Sequence, residues 1–293
     1  MIDIIGLART PFAPILGLLS SISSVHLGLK SATKCINNSF INKELVDSVI
    51  LSQVFPYGQG PSPLKQIITN IGLNNCNNYN VNNLCISGLK AVDLGLNLIK
   101  SEKSQVLTEF EVDNMEGRVN RYIEDSFEKI ASSYSQGVIQ NEIAPVNIKA
   151  PLNDKMVDKK ISEDEIYRMF MKKINYSKIS TFSDGSASLL MCSNKVTNKY
   201  KLTPICKIRS IYNSSRVYNN GSDSNSATDG DIDGIVSDIA ECVKEYRENN
   251  VDIFEILDQN VLIPILVSKS KGIDLSRVNL QGGTIAIGHA LGN

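Results

Sequence analysis

The chain has 293 residues, of which 42% are hydrophobic, and a net charge of -1 at pH 7. A chain of this size and composition can bury a large apolar core, as one domain or two. Because 30 basic and 31 acidic residues nearly balance, we expect neither nucleic acid nor a membrane surface as a partner. No apolar run reaches the roughly 18 residues of a membrane-spanning helix.

The cysteines and histidines exclude the common metal sites. Six cysteines are scattered without C-x-x-C pairs, and only two histidines, His26 and His289, accompany them. A structural zinc site is therefore not expected. A strand predicted at residues 2–7 leaves no room for a signal peptide, and scattered cysteines fit a reducing compartment. We expect a cytoplasmic protein.

The first part of the chain alternates predicted strands and helices. After the strand at 2–7, apolar spacing and turn residues predict a helix at 24–35, a strand at 46–54, a helix at 64–71 and a strand at 79–84. His26 falls on this first helix, where we interpret it as a surface residue. The alternation indicates an α/β fold.

Cys85 follows the strand at 79–84 directly. Ser87 and Gly88 come next, and an apolar-periodic segment to about Lys100 predicts a helix. The N-terminus of such a helix carries partial positive charge, which favours a thiolate at Cys85. A thiolate on a strand-to-helix turn is well placed to act as a nucleophile. Free cysteines also commonly just fill cores, so Cys85 alone does not decide the matter.

The middle of the chain differs in character. Between about 109 and 178 the charge rises and apolar periodicity weakens, and the one firm extended piece is 142–148. We interpret this as an inserted loop subdomain, with an ordinary surface excursion as the alternative. A core segment at 184–191 and a strand at 205–211 follow. The Ser/Asn/Asp/Gly-rich run from 212 to 230 is typical of a flexible linker.

The last part repeats the order of the first. A helix is predicted at 235–246, a strand at 251–256, a helix at 261–268 and a short strand at 278–280, before a glycine-rich turn. Two α/β halves are therefore expected. The N-terminal half spans 1–210, a linker-like loop spans 211–230, and the C-terminal half, incomplete by comparison, spans 231–293.

The second glycine-rich turn contains His289. Glycines at 282, 283, 288 and 292 allow backbone to approach a ligand closely. A lone histidine is usually structural, but Cys85 and His289 lie on equivalent turns of the two halves. A Cys–His pair is the minimum for an activated thiolate nucleophile.

Several motifs occur in the order seen in thiolases (acetyl-CoA acetyltransferases), which the chain resembles. They are residues 9–11, 27–28, 83–91, 142–146, 184–187 and 282–289. The resemblance implies the thiolase fold, in which two α/β repeats form five αβαβα layers with a loop subdomain in the first repeat. It also implies an acyl-CoA substrate, no other cofactor, and a homodimer or homotetramer.

The resemblance also assigns roles to residues. Cys85 would take the acyl group as a thioester, and His289 would accept its proton. Ser180 and Gly288 would contact the substrate. The expected reaction joins two acetyl-CoA molecules to acetoacetyl-CoA and CoA, or is the reverse thiolysis.

Departures from the family pattern leave an alternative open. The family's second catalytic cysteine lies beyond the histidine turn, and this chain ends at Asn293. Leu257 stands where the family has an asparagine that helps to stabilise an enolate, and leucine cannot form hydrogen bonds. Glu109-Phe110 or nearby residues stand where the family has a pair of glycines, and their bulk and charge would crowd that turn. A catalytically impaired homologue that binds CoA or serves as an oligomeric scaffold is the alternative; a condensing enzyme with one cysteine is a third.

Overall fold

The computed structural model describes residues 2–56, 58–100, 116–152, 155–160, 179–209, 211 and 251–290. The strands are β1 (Ile2–Arg9), β2 (Ala13–Pro14), β3 (Ser48–Ser52), β4 (Asn77–Val81), β5 (Asn147–Leu152), β6 (Lys155–Lys160), β7 (Ser183–Asp184), β8 (Ala187–Ser193) and β9 (Cys206–Ile208). The α-helices are α1 (Ser24–Ser39), α2 (Pro63–Ile71), α3 (Ser87–Lys100), α4 (Glu116–Ser135), α5 (Asn194–Tyr200), α6 (Leu262–Lys271) and α7 (Thr284–Ile287). No helix in these ranges is long and apolar enough to cross a membrane.

Strand β1 is the centre of a three-stranded antiparallel sheet in the order β8-β1-β9. Its predicted position is confirmed, and Ile2 and Ile5 are buried. Helix α1 packs on this sheet. A Cβ at Gly6 would lie 2.6 Å from the carbonyl oxygen of Cys35, so the close approach of α1 requires glycine there. His26 of α1 is exposed, as predicted.

Strands β3 and β4 are parallel, and α2 connects them. Helix α2 begins at the predicted place because Ser62 accepts a hydrogen bond from the backbone N–H of Lys65 (3.2 Å). It ends at Gly72, whose φ of +86° suits glycine. Strand β4 ends at Val81, before the predicted end. Helix α3 follows after a short turn, as expected.

The C-terminal part keeps only one bridge and one helix of the strand–helix–strand order that the sequence predicts. Phe254 and Val278 form one parallel bridge, and helix α6, confirmed close to its predicted place, lies between them in the chain. The extended strands predicted at 251–256 and 278–280 are wrong. The side chain of Asn279 bonds both backbone groups of Ile256 at 2.7 and 2.9 Å, so a side-chain amide takes the place of further ladder bonds.

Helix α4 was missed by the sequence analysis. It lies in the charged segment after residue 109, and acidic and basic residues on its outer face mask its apolar periodicity. Its inner face belongs to the largest buried apolar cluster of the described residues, together with residues of α6, of α7 and of the segments beside these helices: Tyr122, Ile123, Phe127, Ile130, Ile139, Ile143, Phe254, Val261, Ile265, Leu266, Val267, Ile273, Val278, Ile285 and Ala286. A helix from the middle of the chain thus supports the C-terminal glycine turn.

Other sequence predictions have different outcomes. The segment predicted at 184–191 overlaps the end of β7 and contains most of β8, and the strand predicted at 205–211 is the shorter β9. The linker at 212–230 and the helix at 235–246 lie outside the described residues. The three domain boundaries stay predictions.

We expect Ile123→Ala to lower the free energy of unfolding by about 2–5 kcal/mol, because the side chain is 0% exposed and its loss leaves a cavity. Urea unfolding followed by circular dichroism measures this. The matched control is Ile205→Ala, since Ile205 is 54% exposed; its effect should stay within about 0.5 kcal/mol. Equal, small effects of the two substitutions would contradict the packing described for α4.

Candidate active site

Cys85 lies on a strained turn between β4 and α3. The preceding residue, Leu84, has a φ of +52°, a conformation that side chains other than glycine rarely adopt. Two hydrogen bonds close the turn: the Ser87 hydroxyl donates to the Leu84 carbonyl (2.5 Å) and accepts from the Asn83 N–H (2.8 Å). The Cys85 side chain itself is half-buried. The turn thus presents a partly accessible thiol.

Cys85 lies close to the N-terminus of a long helix. The residue lies two positions before the first residue of α3, a helix of 14 residues. Unpaired N–H groups at a helix N-terminus place partial positive charge near such a sulfur. By contrast, Cys35 lies on the buried face of α1, and its burial raises the pKa of its thiol to about 12. Cys85 is therefore partly accessible, whereas Cys35 is a core residue.

His289 lies at the end of the second glycine turn and is 3% exposed. Its backbone is held on both sides: its N–H donates to the Thr181 carbonyl (2.7 Å), and its carbonyl accepts from the Ser183 N–H (3.1 Å). Gly288, with a φ of +82°, turns the chain into this position. A Cβ on Gly288 would lie 2.8 Å from the Cβ of Ser183, so glycine is required there.

Three buried polar atoms lie on the segment that contains Ser180 and Ser183 and on the adjoining His289 turn. The hydroxyl oxygens of Ser180 and Ser183 and the Nε2 of His289 have no hydrogen-bond partner within the described part of the chain. Buried polar groups in proteins are nearly always paired, and an unpaired one costs free energy. This group of unpaired atoms marks the segment as a candidate place for ligand contact.

The pKa of His289 is lowered, because burial disfavours the charged imidazolium. The nearby carboxylate of Asp258 acts in the opposite direction and raises it. The net direction keeps the imidazole neutral at neutral pH, the state that can accept a proton.

Asp258 is a site residue that the sequence analysis missed. It is 0% exposed, and its carboxylate accepts hydrogen bonds from the Tyr122 hydroxyl (3.1 Å), the Thr284 hydroxyl (2.6 Å) and the Ile285 N–H (3.2 Å). The available signal was an acidic residue between two apolar runs, one ending at Ile256 and one starting at Val261. Leu257, its neighbour, is 42% exposed.

The structure brings together only some of the predicted site residues. Ser180, Gly288 and His289 lie on adjoining segments, joined by the bridge between Phe182 and His289. Cys85 lies on the separate turn before α3, and no hydrogen bond among the described residues joins it to His289. The roles of all four stay predictions. No cluster of three metal-binding side chains occurs within the described ranges.

The α/β protein thus has a half-buried cysteine on a strained strand-to-helix turn and a buried histidine on a glycine turn. The family model of the thiolase N-terminal domain matches residues 2–119. Acetyl-CoA acetyltransferase A, mitochondrial, from Xenopus laevis is 22% identical over 97% of this chain and 81% of its own. Acetyl-CoA acetyltransferase from Saccharomyces cerevisiae is 22% identical over 99% and 88%.

Solved thiolases have the same fold. The Acat5 thiolase from Ascaris suum, solved in complex with coenzyme A, superposes with a TM-score of 0.73 at 18% identity, over 99% of this chain and 89% of that one. Human mitochondrial 3-ketoacyl-CoA thiolase gives 0.69 at 17% identity, over 100% and 89%. The resemblance predicted from the motifs and the thiolase-like α/β fold are confirmed. Together, the comparisons show that the chain is similar to thiolases in sequence and in fold.

The burial of His289 predicts a pH dependence of stability. Its pKa in the folded state is below the unfolded value of about 6.5, so the unfolded chain binds more protons in this range. The contribution of His289 to the free energy of unfolding is complete above the pKa of histidine in the unfolded chain. It is lost as the pH falls through the pKa of His289 in the folded protein. We expect His289→Gln to flatten the fall in unfolding free energy below about pH 6.5, measured by urea unfolding at successive pH values.

The exposed histidine supplies the control for that measurement. His26→Gln should leave the slope of stability against pH unchanged, because His26 lies on the outer face of α1. If His289→Gln and His26→Gln give the same slope as the unmodified protein, His289 is not buried in the neutral form.

Proposed function

We propose that the protein is an acyl-CoA acyltransferase of the thiolase type that forms an acyl thioester on Cys85. The observation that carries the proposal is the position of Cys85, half-buried on a strained turn at the head of α3. The names of relatives support the substrate class, since those cited are acetyl-CoA acetyltransferases. The Ascaris suum neighbour, solved in complex with coenzyme A, supports it as well.

In the proposed first step the Cys85 thiolate attacks the carbonyl carbon of acetyl-CoA. A new C–S bond forms to Cys85, the C–S bond to CoA breaks, and CoA leaves as a thiolate. His289 takes the Cys85 proton and returns it to the departing sulfur. A neutral imidazole is needed for this, and burial keeps the pKa of His289 low enough to supply one.

Two further contacts are part of the proposal. The Ser180 hydroxyl, buried and without a partner in the described part of the chain, is available to donate to the substrate. Gly288 has no side chain to obstruct the approach of an acyl group. Backbone N–H groups at the head of α3 would stabilise the oxyanion of the tetrahedral intermediate.

The full reaction that we propose is acetyl-CoA C-acetyltransfer. The acetyl group on Cys85 would be attacked by the α-carbon of a second acetyl-CoA after loss of its α-proton, which gives acetoacetyl-CoA and a regenerated Cys85; thiolysis is the reverse. We further propose a cytoplasmic homodimer or homotetramer.

The alternative is a catalytically impaired CoA-binding or oligomeric scaffold. It is favoured by the exposed Leu257 side chain, which cannot hold a water or an enolate oxygen by hydrogen bonds.

Mass spectrometry of the intact protein after incubation with acetyl-CoA tests the proposal. We expect one added acetyl group, located on Cys85 in the peptide map and absent in Cys85→Ala. His289→Asn should slow its formation at pH 7 by about 100-fold or more, the usual contribution of a general base.

The control is Cys206→Ser, which removes an exposed thiol on β9 and should leave acetylation unchanged. Absence of any adduct on Cys85 would refute the proposed function and favour the scaffold. An adduct that depends on Cys206 instead would show non-specific thiol acetylation.

A further inference from the structure

The glycine turn is organised around one buried carboxylate. Asp258 lies in the segment before α6 and is 0% exposed. Its Oδ1 accepts from the Thr284 hydroxyl (2.6 Å) and the Ile285 N–H (3.2 Å), both in α7. Its Oδ2 accepts from the Tyr122 hydroxyl of α4 (3.1 Å). Three segments that are distant in the chain therefore meet at one side chain.

These hydrogen bonds suit the oxygens of a carboxylate. Each partner of Asp258 in the described part of the chain donates to it, and carboxylate oxygens accept. The Tyr122 hydroxyl, which donates to Asp258, accepts from the Asn279 side-chain amide (2.9 Å). Asn279 is itself bonded to the backbone of Ile256. Asn279 thus fixes the position of the Tyr122 hydroxyl, which is one of the donors to the buried Asp258 side chain.

The turn approaches the carboxylate so closely that no side chain would fit. A Cβ on Gly283 would lie 1.9 Å from the Oδ2 of Asp258. The N–H of Gly283 donates to the Ser126 hydroxyl of α4 (2.9 Å), which holds the turn from the other side. Gly283 has a φ of -102°, so glycine is required here by space and not by backbone conformation.

The four residues of α7 lead directly into Gly288 and His289. Asp258 bonds the first turn of this helix, and the backbone of His289 is held at the other end by Thr181 and Ser183. The same carboxylate acts on the imidazole through its charge and opposes the effect of burial. Asp258 therefore contacts the turn that leads into His289, and its charge acts on the imidazole.

We infer that Asp258 is a positioning residue, which holds the glycine turn so that His289 is presented to Cys85 and stabilises the imidazolium formed when His289 takes the proton. This rests on the proposed function for its chemical consequence. The placement and charge effect on His289 are measurable whether or not the protein transfers acyl groups.

The other ionisable groups around this carboxylate are few. Tyr122 of α4 donates to it, Glu255 of its own segment interacts with it through charge, and Lys129 of α4 interacts with Glu255. Burial, with Asp258 adding to it, raises the pKa of Tyr122, which keeps that hydroxyl protonated as a donor. Burial also raises the pKa of Glu255, while the Lys129 ammonium lowers it. Lys129 donates to the Val278 carbonyl (2.7 Å). A change in His289 titration must therefore be compared across variants that leave Glu255 and Lys129 intact.

The test is a pH titration of the imidazole resonances by nuclear magnetic resonance. With only two histidines in the chain, His26→Gln assigns both signals, and His26 serves as an internal control on the surface of α1. We expect Asp258→Asn, which is nearly isosteric, to shift the His289 titration to lower pH because the opposing charge is lost, with His26 unchanged. The matched control is Thr284→Val, which removes a hydroxyl donor but keeps the charge; it should shift the titration much less.

Acylation supplies a second readout. Asp258→Asn should slow acetylation of Cys85 about tenfold or more and shift its pH profile in parallel with the His289 titration. If Asp258→Asn does not fold, Thr284→Val and Thr284→Ser carry the test. Serine keeps the hydroxyl that bonds Asp258, so it should preserve the acetylation rate, whereas valine removes this bond to the glycine turn and should slow acetylation.

Each outcome decides the inference. An unchanged His289 titration in Asp258→Asn, equal shifts in Asp258→Asn and Thr284→Val, or equal behaviour of the valine and serine variants would overturn it. Absence of a Cys85 adduct in the unmodified protein would instead refute the proposed function. The titration would still show whether Asp258 positions His289.

Discussion

A buried carboxylate can persist only where donors surround it, and this constraint shapes the C-terminal part of the protein. Asp258 takes a hydroxyl from α4, and a hydroxyl and a backbone N–H from α7. Removing one partner from a buried charge is typically costly, so these elements are not independent of one another. The apolar cluster of α4, α6 and α7 encloses the same place. Polar and apolar contacts therefore require the same arrangement of the chain.

This arrangement explains why the histidine turn needs its glycines. Gly283 has a carboxylate where a Cβ would be, and Gly288 turns the chain at positive φ against Ser183. With glycine at these two positions the turn can close, His289 is buried, and its backbone forms hydrogen bonds with Thr181 and Ser183. Burial and the charge of Asp258 act on the imidazole in opposite directions. A base that is neutral at rest and stabilised after protonation is suited to proton transfer.

The parts of the fold that were predictable have strong local signals. β1, α1, α2, α3 and α6 follow from apolar spacing and from capping residues such as Ser62 and Gly72. Helix α4 was missed because its buried residues alternate with charged ones that face outward. The strand predicted at 251–256 was wrong because the Asn279 side chain, distant in sequence, bonds the backbone of Ile256. Tertiary contacts of that kind have no local signature.

The candidate site divides in the same way. Cys85 and His289 are identifiable from motifs because each lies on a turn with small residues around it. Asp258 is not, because its importance comes from partners 136 and 26 residues away in the chain. The strained φ of Leu84 is likewise invisible in sequence, since leucine is not a residue that favours that conformation.

The central claim is that Cys85 and His289 act as a nucleophile and its base. A crystal structure of the intact protein measures this most directly, through the distance between the Cys85 Sγ and the nearer imidazole nitrogen of His289. The account predicts a separation within about 4 Å, since a base must be close to hydrogen-bond reach of its nucleophile. A separation beyond about 8 Å, with other side chains packed between the two, would contradict it.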